Sequence, residues 1–582
     1  MGTVIKEKGE IALNADSRKI SDIFNMSRIL EIPFFQRSYV WEEEQWQRFL
    51  DDMENLALEP EPFFMGTIIL KQRSTSAEQD CGDIRTVIDG QQRLTTITLF
   101  FKVLSLMNGT SNAFDRFRLM KTGEIALRHN HNDLESFNTI VELDVLEDIP
   151  GENNIVGAYK FFKDNINPDR FDFYRLIENI EFVGIDLTES EDEQQIFDTI
   201  NSLGVKLTTA ELLKNFFFDR NDIKSYELNW KNVFEFDEEA KEYWDKEITA
   251  GRIRRTCIDL FFHAFLQIKI QDDNLKIRAE NKKQFSRVEK LFESYKKFIA
   301  EYYDNDKQAL VDEIRAYAIL FRQVFNPEIV NQSIPRQFGI ERVNLLIFGL
   351  DTSTLIPYVL YVEKNQDDIN VKNELYRTIE SYIMRRMVVR STTKNYNQLF
   401  SERLIYNNIL TREQFLSYIA TQSEKINRLP SIQEMVEGFN KSGLINKQAK
   451  GVIYLIEAKI RDGSKHATQL LGFDKYSLEH LMPKKWENHW GMPNPPYTPE
   501  ERNSKLLTLG NLAIITQSLN ASIRDSKWTA KLQGDGKRAG LKKYAEGIET
   551  IGDYLDYLYW DEDTIKERAK YLSDKAISIW GD

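Results

Sequence analysis

Cysteine is nearly absent from this chain. Only Cys81 and Cys257 occur among its 582 residues, which excludes a disulfide scaffold and a cysteine-rich zinc site. No uninterrupted apolar run approaches the roughly 20 residues that a bilayer requires, and the first thirty residues carry no apolar segment after a basic start. These absences predict a cytoplasmic protein with no membrane partner.

Internal repeats and low-complexity tracts are also lacking. Apolar residues make up 42% of the chain and charged residues 29%, which is typical of globular proteins and excludes disordered and collagen-like classes. At about 150 residues per domain, the length allows roughly three to four domains.

Positive charge is scarce overall but locally concentrated. The chain has 77 basic and 91 acidic side chains, a net charge of -14, which argues against a non-specific nucleic-acid binder. Residues 471–545 hold twelve Lys or Arg against seven Asp or Glu, so this stretch is +5 and the remainder is -19. We expect a phosphate backbone to be contacted here first, although a solvated face would have the same composition.

The first region of the chain is predicted to be an α/β domain, over residues 1–228. Short β-rich runs at 63–70, 86–88 and 181–187 alternate with helical patterns, including a helix directly after the second run and another from 194 to 200.

Two further regions complete an α+β multidomain architecture. Residues 229–448 show long amphipathic stretches with few Gly or Pro and predict a mostly helical connecting region. In residues 449–582, five of the fourteen prolines fall between positions 483 and 499. They predict a long loop between strands at 476–480 and 506–516, followed by a helix from about Ser518 past Trp528.

Three arginines of the middle region could contact the DNA backbone. On a helix, Arg385, Arg386 and Arg390 fit either a backbone contact or a solvated face beside an apolar one.

The first C-terminal strand ends on a carboxylate and a histidine, Glu479 and His480. A metal-dependent phosphodiester hydrolase needs a base that activates water and a divalent ion that stabilises charge on phosphate. His480 could be the base, and Glu479 and Asn520 could supply hard oxygen ligands. Asn511 could accept the second ring N–H of His480 and fix its tautomer. A structural histidine is the competing interpretation.

Four motif elements occur within 53 residues: Glu479-His480-x-x-Pro483, Gly510-Asn511-Leu512, Asn520 and Lys531. Together they resemble the HNH, or ββα-metal, nuclease motif of the DUF1524 family. The resemblance implies that His480 is the general base and that Glu479 and Asn520 bind the metal. It also implies that Asn511 orients His480 and that Lys531 contacts phosphate. Because Asn520 stands where the last HNH histidine is common, Mg²⁺ or Mn²⁺ is the expected ion.

A second constellation lies in the strand-turn-helix around residues 87–96. Backbone N–H groups at the helix start favour an anion, Gly90 allows close approach, and Arg93 can fork onto phosphate. Asp89 could hold a metal or position water. Helix capping alone would also select Asp89 and Gly90, so both interpretations stay open here.

The wider N-terminal pattern resembles the DUF262 family over about residues 10–220. The matching segments are Ile32-Pro33-x-x-Gln36-Arg37-x-Tyr39-x-Trp41, the strand with Gly66, Asp89-Gly90-Gln91-Gln92-Arg93-Leu94-Thr95-Thr96, and residues 196–215. That family is similar to ParB and sulfiredoxin domains, so the resemblance implies a ParB/sulfiredoxin-like fold. It assigns NTP binding and hydrolysis, with GTP or ATP, to Asp89, Gly90, Gln91, Gln92 and Arg93. It also places Gln36, Arg37 and Tyr39 in the same cleft, as a sensor of DNA modification.

A DUF262 and a DUF1524 region in one chain resemble the GmrSD group of modification-dependent, type IV restriction enzymes. The resemblance implies an NTP-regulated, Mg²⁺-dependent endonuclease that cleaves modified double-stranded phage DNA, such as DNA with glucosylated hydroxymethylcytosine. Since each chain has one HNH site, a double-strand cut suggests a homodimer. Two alternatives stay open: a phosphorothioate-sensing, NTPase-coupled nickase, and a non-enzymatic DNA-binding defence component.

Overall fold

The computed structural model describes most of the chain. The described residues are 15–33, 36, 38–58, 61–73, 83–109, 111–130, 133–188, 208–218, 223–250, 253–422, 426–461, 469–523, 525–534, 539–545 and 547–581. Spatial contacts divide the chain into two compact units, Met1–Tyr226 and Glu227–Asp582. The boundary expected between residues 448 and 449 falls inside a helix of the second unit, Asn446–Ile460.

A mixed six-stranded sheet forms the centre of the first unit. Its strands are β1 (Ala15–Lys19), β2 (Arg28–Glu31), β3 (Phe63–Gln72), β4 (Asp83–Asp89), β5 (Leu127–Arg128) and β6 (Ile180–Leu187). The strand order is β1-β6-β3-β4-β2-β5. Strand β3 runs parallel to β6 and antiparallel to β4, and β2 pairs in parallel with both β4 and β5. All three strands expected from the sequence are present, and the helix expected at 194–200 lies outside the described residues.

Helices pack around this sheet: α1 (Ile20–Ile23), α2 (Glu43–Leu58), α3 (Gln91–Met107), α4 (Ser111–Phe114), α5 (Leu134–Val141), α6 (Asn154–Asn165), α7 (Phe173–Asn179), α8 (Thr209–Phe217) and α9 (Ile223–Tyr226). Helix α3 has no Gly or Pro and is buried on nearly every side, which makes it the core helix. The ring of its Phe100 lies 5.3 Å from that of Phe49 and 5.7 Å from that of Phe162, so α2 and α6 pack against α3 edge to face.

Helices dominate the second unit. They are α10 (Asn232–Phe234), α11 (Glu238–Asp245), α12 (Cys257–Lys269), α13 (Ala279–Phe285), α14 (Leu291–Tyr302), α15 (Gln308–Val324), α16 (Ile340–Asn344), α17 (Ile356–Asn365), α18 (Ile369–Val388), α19 (Tyr396–Gln398), α20 (Leu404–Tyr406), α21 (Arg412–Thr421), α22 (Ile432–Lys441), α23 (Asn446–Ile460), α24 (Pro499–Lys505), α25 (Gln517–Ile523), α26 (Trp528–Gln533), α27 (Leu541–Tyr544) and α28 (Glu562–Trp580). Two short antiparallel hairpins accompany them, β7 (Glu247–Ala250) with β8 (Ile253–Thr256), and β9 (Tyr476–His480) with β10 (Leu512–Thr516). Within the described ranges, no helix is long and apolar enough to span a membrane.

Buried arginines hold the helical body together. The guanidinium of Arg342 binds both carboxylate oxygens of Glu380, at 2.7 and 2.6 Å. Arg386 is 1% exposed and donates to three backbone carbonyls, and Arg385 is also buried. A DNA contact by Arg385 and Arg386 is therefore contradicted, because both side chains are buried and donate to groups inside the protein.

The β9–β10 hairpin is enclosed by the C-terminal helix. Strand β10 begins at Leu512 and not at 506, because residues 509–511 form a 3₁₀ turn. Arg568 of α28 is fully buried and donates to the carbonyls of Gly510 and Leu512, both at 2.8 Å. The helix expected to follow β10 without a break is two helices, α25 and α26. The hairpin is thus a β-β-α arrangement whose loop end is fixed by α28.

Candidate functional site

Strand β9 delivers two chemically different side chains at its end. Glu479 and His480 are adjacent on the strand, so they point to opposite faces, and they pair with Ala513 and Leu512 of β10. Glu479 is buried, at 6% exposure, and its carboxylate forms an ion pair with the ammonium of Lys531 from α26. Burial raises the pKa of Glu479 and lowers that of Lys531.

His480 is half-buried at the end of the strand. Burial, together with the positive charges of Lys484 and Lys531, lowers the pKa of His480 to about 4. The imidazole is therefore neutral at pH 7, which is the state that can accept a proton from water.

Asn511 anchors the chain that follows His480. Its amide oxygen accepts from the N–H of Met482 at 2.8 Å and from the indole of Trp560 at 3.0 Å. Its amide nitrogen donates to the carbonyls of Met482 and Leu506. These bonds occupy the amide, so the expected bond from the ring of His480 is not formed. Asn511 positions the loop after His480 through the backbone.

Lys531 takes a different place from the one expected. It is 0% exposed, and besides its ion pair with Glu479 it donates to the carbonyl of His480 at 2.8 Å. An ammonium group enclosed in this way does not reach a phosphate at the surface. The structure makes Lys531 an internal counter-ion that holds the end of β9.

An exposed carboxylate that the sequence reasoning missed lies near this site. Asp525, between α25 and α26, acts electrostatically on Glu479, His480 and Lys531. The sequence shows Asp525 as an acidic residue within the basic stretch 471–545, five residues after Asn520.

The oxygen donors of this region suit a hard cation. Mg²⁺ binds through one or two carboxylates and keeps several waters, so Glu479, Asn520 and Asp525 fit it by donor chemistry. Asn520 is half-buried on α25, which packs against both β9 and β10. In the part of the chain that the structure describes, His, Cys, Asp and Glu form no group of three suited to a metal ion, so the amide and water are needed to complete a ligand set.

The N-terminal turn joins β4 to α3 through Gly90. Gly90 has a φ of +98°, and a Cβ there would lie 3.1 Å from the side chain of Ile68. On the neighbouring strand, Gly66 has a φ of +105°, and a Cβ there would collide with the guanidinium of Arg93. Both glycines are required by backbone conformation and by close approach.

Charged and amide groups gather at this turn. Arg93 forms an ion pair with Asp89 at 3.2 Å, and both side chains are about one-fifth exposed. Gln36 donates to the carbonyl of Ile88 at 3.3 Å, while its own amide oxygen is buried without a hydrogen-bond partner among the described residues. The structure therefore brings Gln36 to the turn that carries Asp89 and Arg93. Arg37 lies outside the described residues.

Gln92 and its neighbour Gln91 are both buried at the start of α3. The amide oxygen of Gln92 accepts from the N–H of Val40 at 2.9 Å, and its nitrogen donates to the carbonyl of Ser38 at 3.3 Å. Gln92 thus ties the segment 38–40 to the helix.

Tyr39 does not line a cleft, contrary to expectation. It is 3% exposed, its hydroxyl lies 2.6 Å from that of Thr96, and the indole of Trp46 donates to it at 2.9 Å. Its backbone N–H donates to the carboxylate of Asp133 at 2.6 Å. Tyr39 is a buried anchor, and it helps to fix the position of Gln36, which precedes it by three residues.

Each unit therefore carries one candidate site, a carboxylate–histidine hairpin in the second and a glycine–arginine turn in the first. Residues 20–218 match the model for the N-terminal domain of the GmrSD restriction endonuclease, and residues 429–575 match the model for the C-terminal domain of the GmrSD restriction endonucleases. The two matches span more than half of the chain, which belongs to the GmrSD restriction endonuclease family, and this implies a DNA substrate. A search of curated proteins finds no match.

Proposed function

We propose that this chain is a type IV restriction endonuclease that cleaves modified phage DNA in the cytoplasm, with Mg²⁺ or Mn²⁺ and under NTP control. The observation that carries the proposal is the placement of His480 directly after Glu479, at the end of a hairpin within residues 429–575, the part of the chain that matches the C-terminal GmrSD domain. A base of this kind suits hydrolysis of a phosphodiester.

The hydrolytic step at the hairpin uses the chain's own groups. The neutral imidazole of His480 takes a proton from water as the water oxygen bonds to phosphorus and the bond from phosphorus to the leaving oxygen breaks. Asn520 and Asp525 would hold the divalent cation together with Glu479, whose carboxylate would have to exchange Lys531 for the ion. The cation supplies charge neutralisation at phosphate when bound. Lys531 and Asn511 keep the end of β9 and the following loop in place for this step.

Nucleotide control is assigned to the glycine–arginine turn. Gly66 allows the guanidinium of Arg93 to lie against β3, the backbone N–H groups at the start of α3 favour an anion, and Arg93 carries the opposite charge. In this scheme GTP or ATP has different affinities for two states of the protein and thereby gates cleavage.

Cleavage of modified DNA tests the proposed specificity. With Mg²⁺ and NTP, we expect plasmid or phage DNA containing glucosylated hydroxymethylcytosine to be cut and the same unmodified sequence to stay intact. A result in which both are cut equally would contradict modification dependence. Open circles formed only from phosphorothioate DNA would favour the sensing nickase instead.

Gly66→Ala tests the N-terminal turn. The added methyl group must displace the guanidinium of Arg93, so we expect nucleotide affinity, measured by calorimetry, to fall about tenfold or more. The matched control is Gly123→Ala in the same unit, where φ is +74° and a Cβ would meet nothing within 4 Å. Equal losses in the two variants would show that backbone strain, and not displacement of Arg93, is responsible.

A further inference from the structure

We propose that the helical body carries a second DNA-binding surface, a basic groove lined by Lys283, Arg287 and Lys290. Its partner is the phosphate backbone of double-stranded DNA. The inference rests on the proposed function only in taking DNA as the substrate, since the groove is formed by residues outside both family matches.

Local charge distinguishes this segment from the rest of the chain. Residues 276–297 hold eight Lys or Arg and three Glu, a net charge of +5 in a chain whose total is -14. This net charge equals that of the basic stretch 471–545 in less than a third of the length, so the charge density is more than three times higher. An isolated positive region on an acidic protein attracts a polyanion while the rest of the surface repels it.

The groove has a defined shape. It is an open concavity of about 380 Å³ between the C-terminal half of α13 and the 3₁₀ turn Val288–Lys290. Three cations line it, together with Gln284 and one carboxylate, Glu280. None of the five lining residues is aromatic, so the groove suits phosphates and not stacked bases, and contact there would be independent of sequence.

The cations of this segment are available to a ligand. Five of them are exposed: Lys276, Arg278, Lys283, Arg287 and Lys290. None of the five forms an ion pair with a residue that the structure describes. By contrast, Arg502 and Lys531 in the basic stretch 471–545 are buried in ion pairs with acids of the chain. Exposed cations without an ion pair can bind DNA phosphates directly and thereby release counterions from the DNA, because no internal ion pair has to break first.

The groove stands on a rigid support. Phe285 is fully buried, and Gln267 of α12 donates to its carbonyl at 3.0 Å. Lys297 of α14 donates to Gln284 at 2.8 Å and to Asn281 at 3.0 Å. The first of these bonds holds the backbone of α13 and the other two hold side chains beside the cations, so little ordering of this support is needed when DNA binds.

The test measures affinity for two fluorescent duplexes, one glucosylated and one unmodified, by anisotropy, in EDTA so that the DNA stays intact. The variant is K283Q/R287Q/K290Q. The control is K241Q/K394Q/K441Q, three exposed lysines elsewhere in the second unit whose loss changes the net charge equally. If each lost cation removes one phosphate contact, the slope of log Kd against log salt falls by about 2 to 3. At about 0.15 M salt, Kd is expected to rise about tenfold or more, and the control is expected to keep the wild-type slope.

Each outcome decides the proposal. A groove variant that keeps the wild-type slope and Kd overturns the groove alone, since the wild type still binds DNA. An equal loss in both triple variants also overturns it and assigns the effect to total charge. A wild-type protein that binds neither glucosylated nor unmodified duplex overturns the groove and the proposed function together.

Discussion

His480→Ala is expected to reduce DNA cleavage by about 10²–10⁴-fold, the usual contribution of a general base. The reason is that His480 ends strand β9 as a half-buried imidazole that is neutral at pH 7, so its ring nitrogen can accept a proton from water. The measurement is the initial rate of linearisation of modified plasmid with Mg²⁺ and NTP. Binding of the duplex in EDTA is measured in parallel and separates loss of chemistry from loss of affinity.

The chain offers a matched control for this substitution. His489 is exposed in the loop that follows β9, nine residues after His480. His489→Ala should therefore keep cleavage within about twofold of the wild type. Cleavage by H480A at the wild-type rate would remove His480 from the mechanism and would assign the hairpin a structural or DNA-binding role.

Lys531→Met is expected to lower the free energy of unfolding by about 3–5 kcal/mol. Removing one partner of a buried ion pair leaves the other charge uncompensated, and here the carboxylate of Glu479 is 6% exposed. Because Lys531 also holds the carbonyl of His480, cleavage should fall as well. Urea unfolding followed by circular dichroism measures the first effect.

Two further variants test whether the effect of K531M comes from the buried ion pair with Glu479. Lys527→Met, at an exposed position just before α26, should change stability by no more than about 0.5 kcal/mol. The double variant K531M/E479Q removes the uncompensated charge and should recover part of the lost stability. If K531M unfolds at the same urea concentration as the wild type, the ion pair makes no net contribution.

Local patterns in the sequence predicted the strands around both sites. Strand β9 covers residues 476–480 as expected, and β3, β4 and β6 lie where β-rich runs were found. Alternation and turn residues act over a few positions, so they are visible in a single sequence. The strand expected from residue 506 was placed too early, since an apolar run does not distinguish a 3₁₀ turn from an extended segment.

Side-chain partners were the part that the sequence did not reveal. Tyr39 binds a carboxylate 94 positions away, and Lys531 pairs with a residue 52 positions away. Such contacts depend on how elements pack, and no local rule encodes them. The family motif indicated that Asn511 and Lys531 matter, but their partners became visible only in three dimensions.

Burial explains the remaining differences between the predictions from the sequence and the structure. Arg385 and Arg386 looked like candidates for DNA contact because charge is usually exposed, yet their donors satisfy carbonyls inside the helical body. Asp525 was overlooked because it lies between the motif residues Asn520 and Lys531 but is not itself part of the motif. The basic groove of residues 283–290 was hidden by averaging charge over a long acidic region.

The hydrogen bonds from Arg568 to the β9–β10 hairpin affect the order in which the chain can fold during synthesis. Residues 476–516 leave the ribosome before α28, so a nascent chain at that stage lacks the guanidinium that binds the carbonyls of Gly510 and Leu512. Burying such carbonyls without a donor costs about 1–3 kcal/mol each. We therefore expect the β9–β10 hairpin to reach its final packing only after Arg568 has left the ribosome.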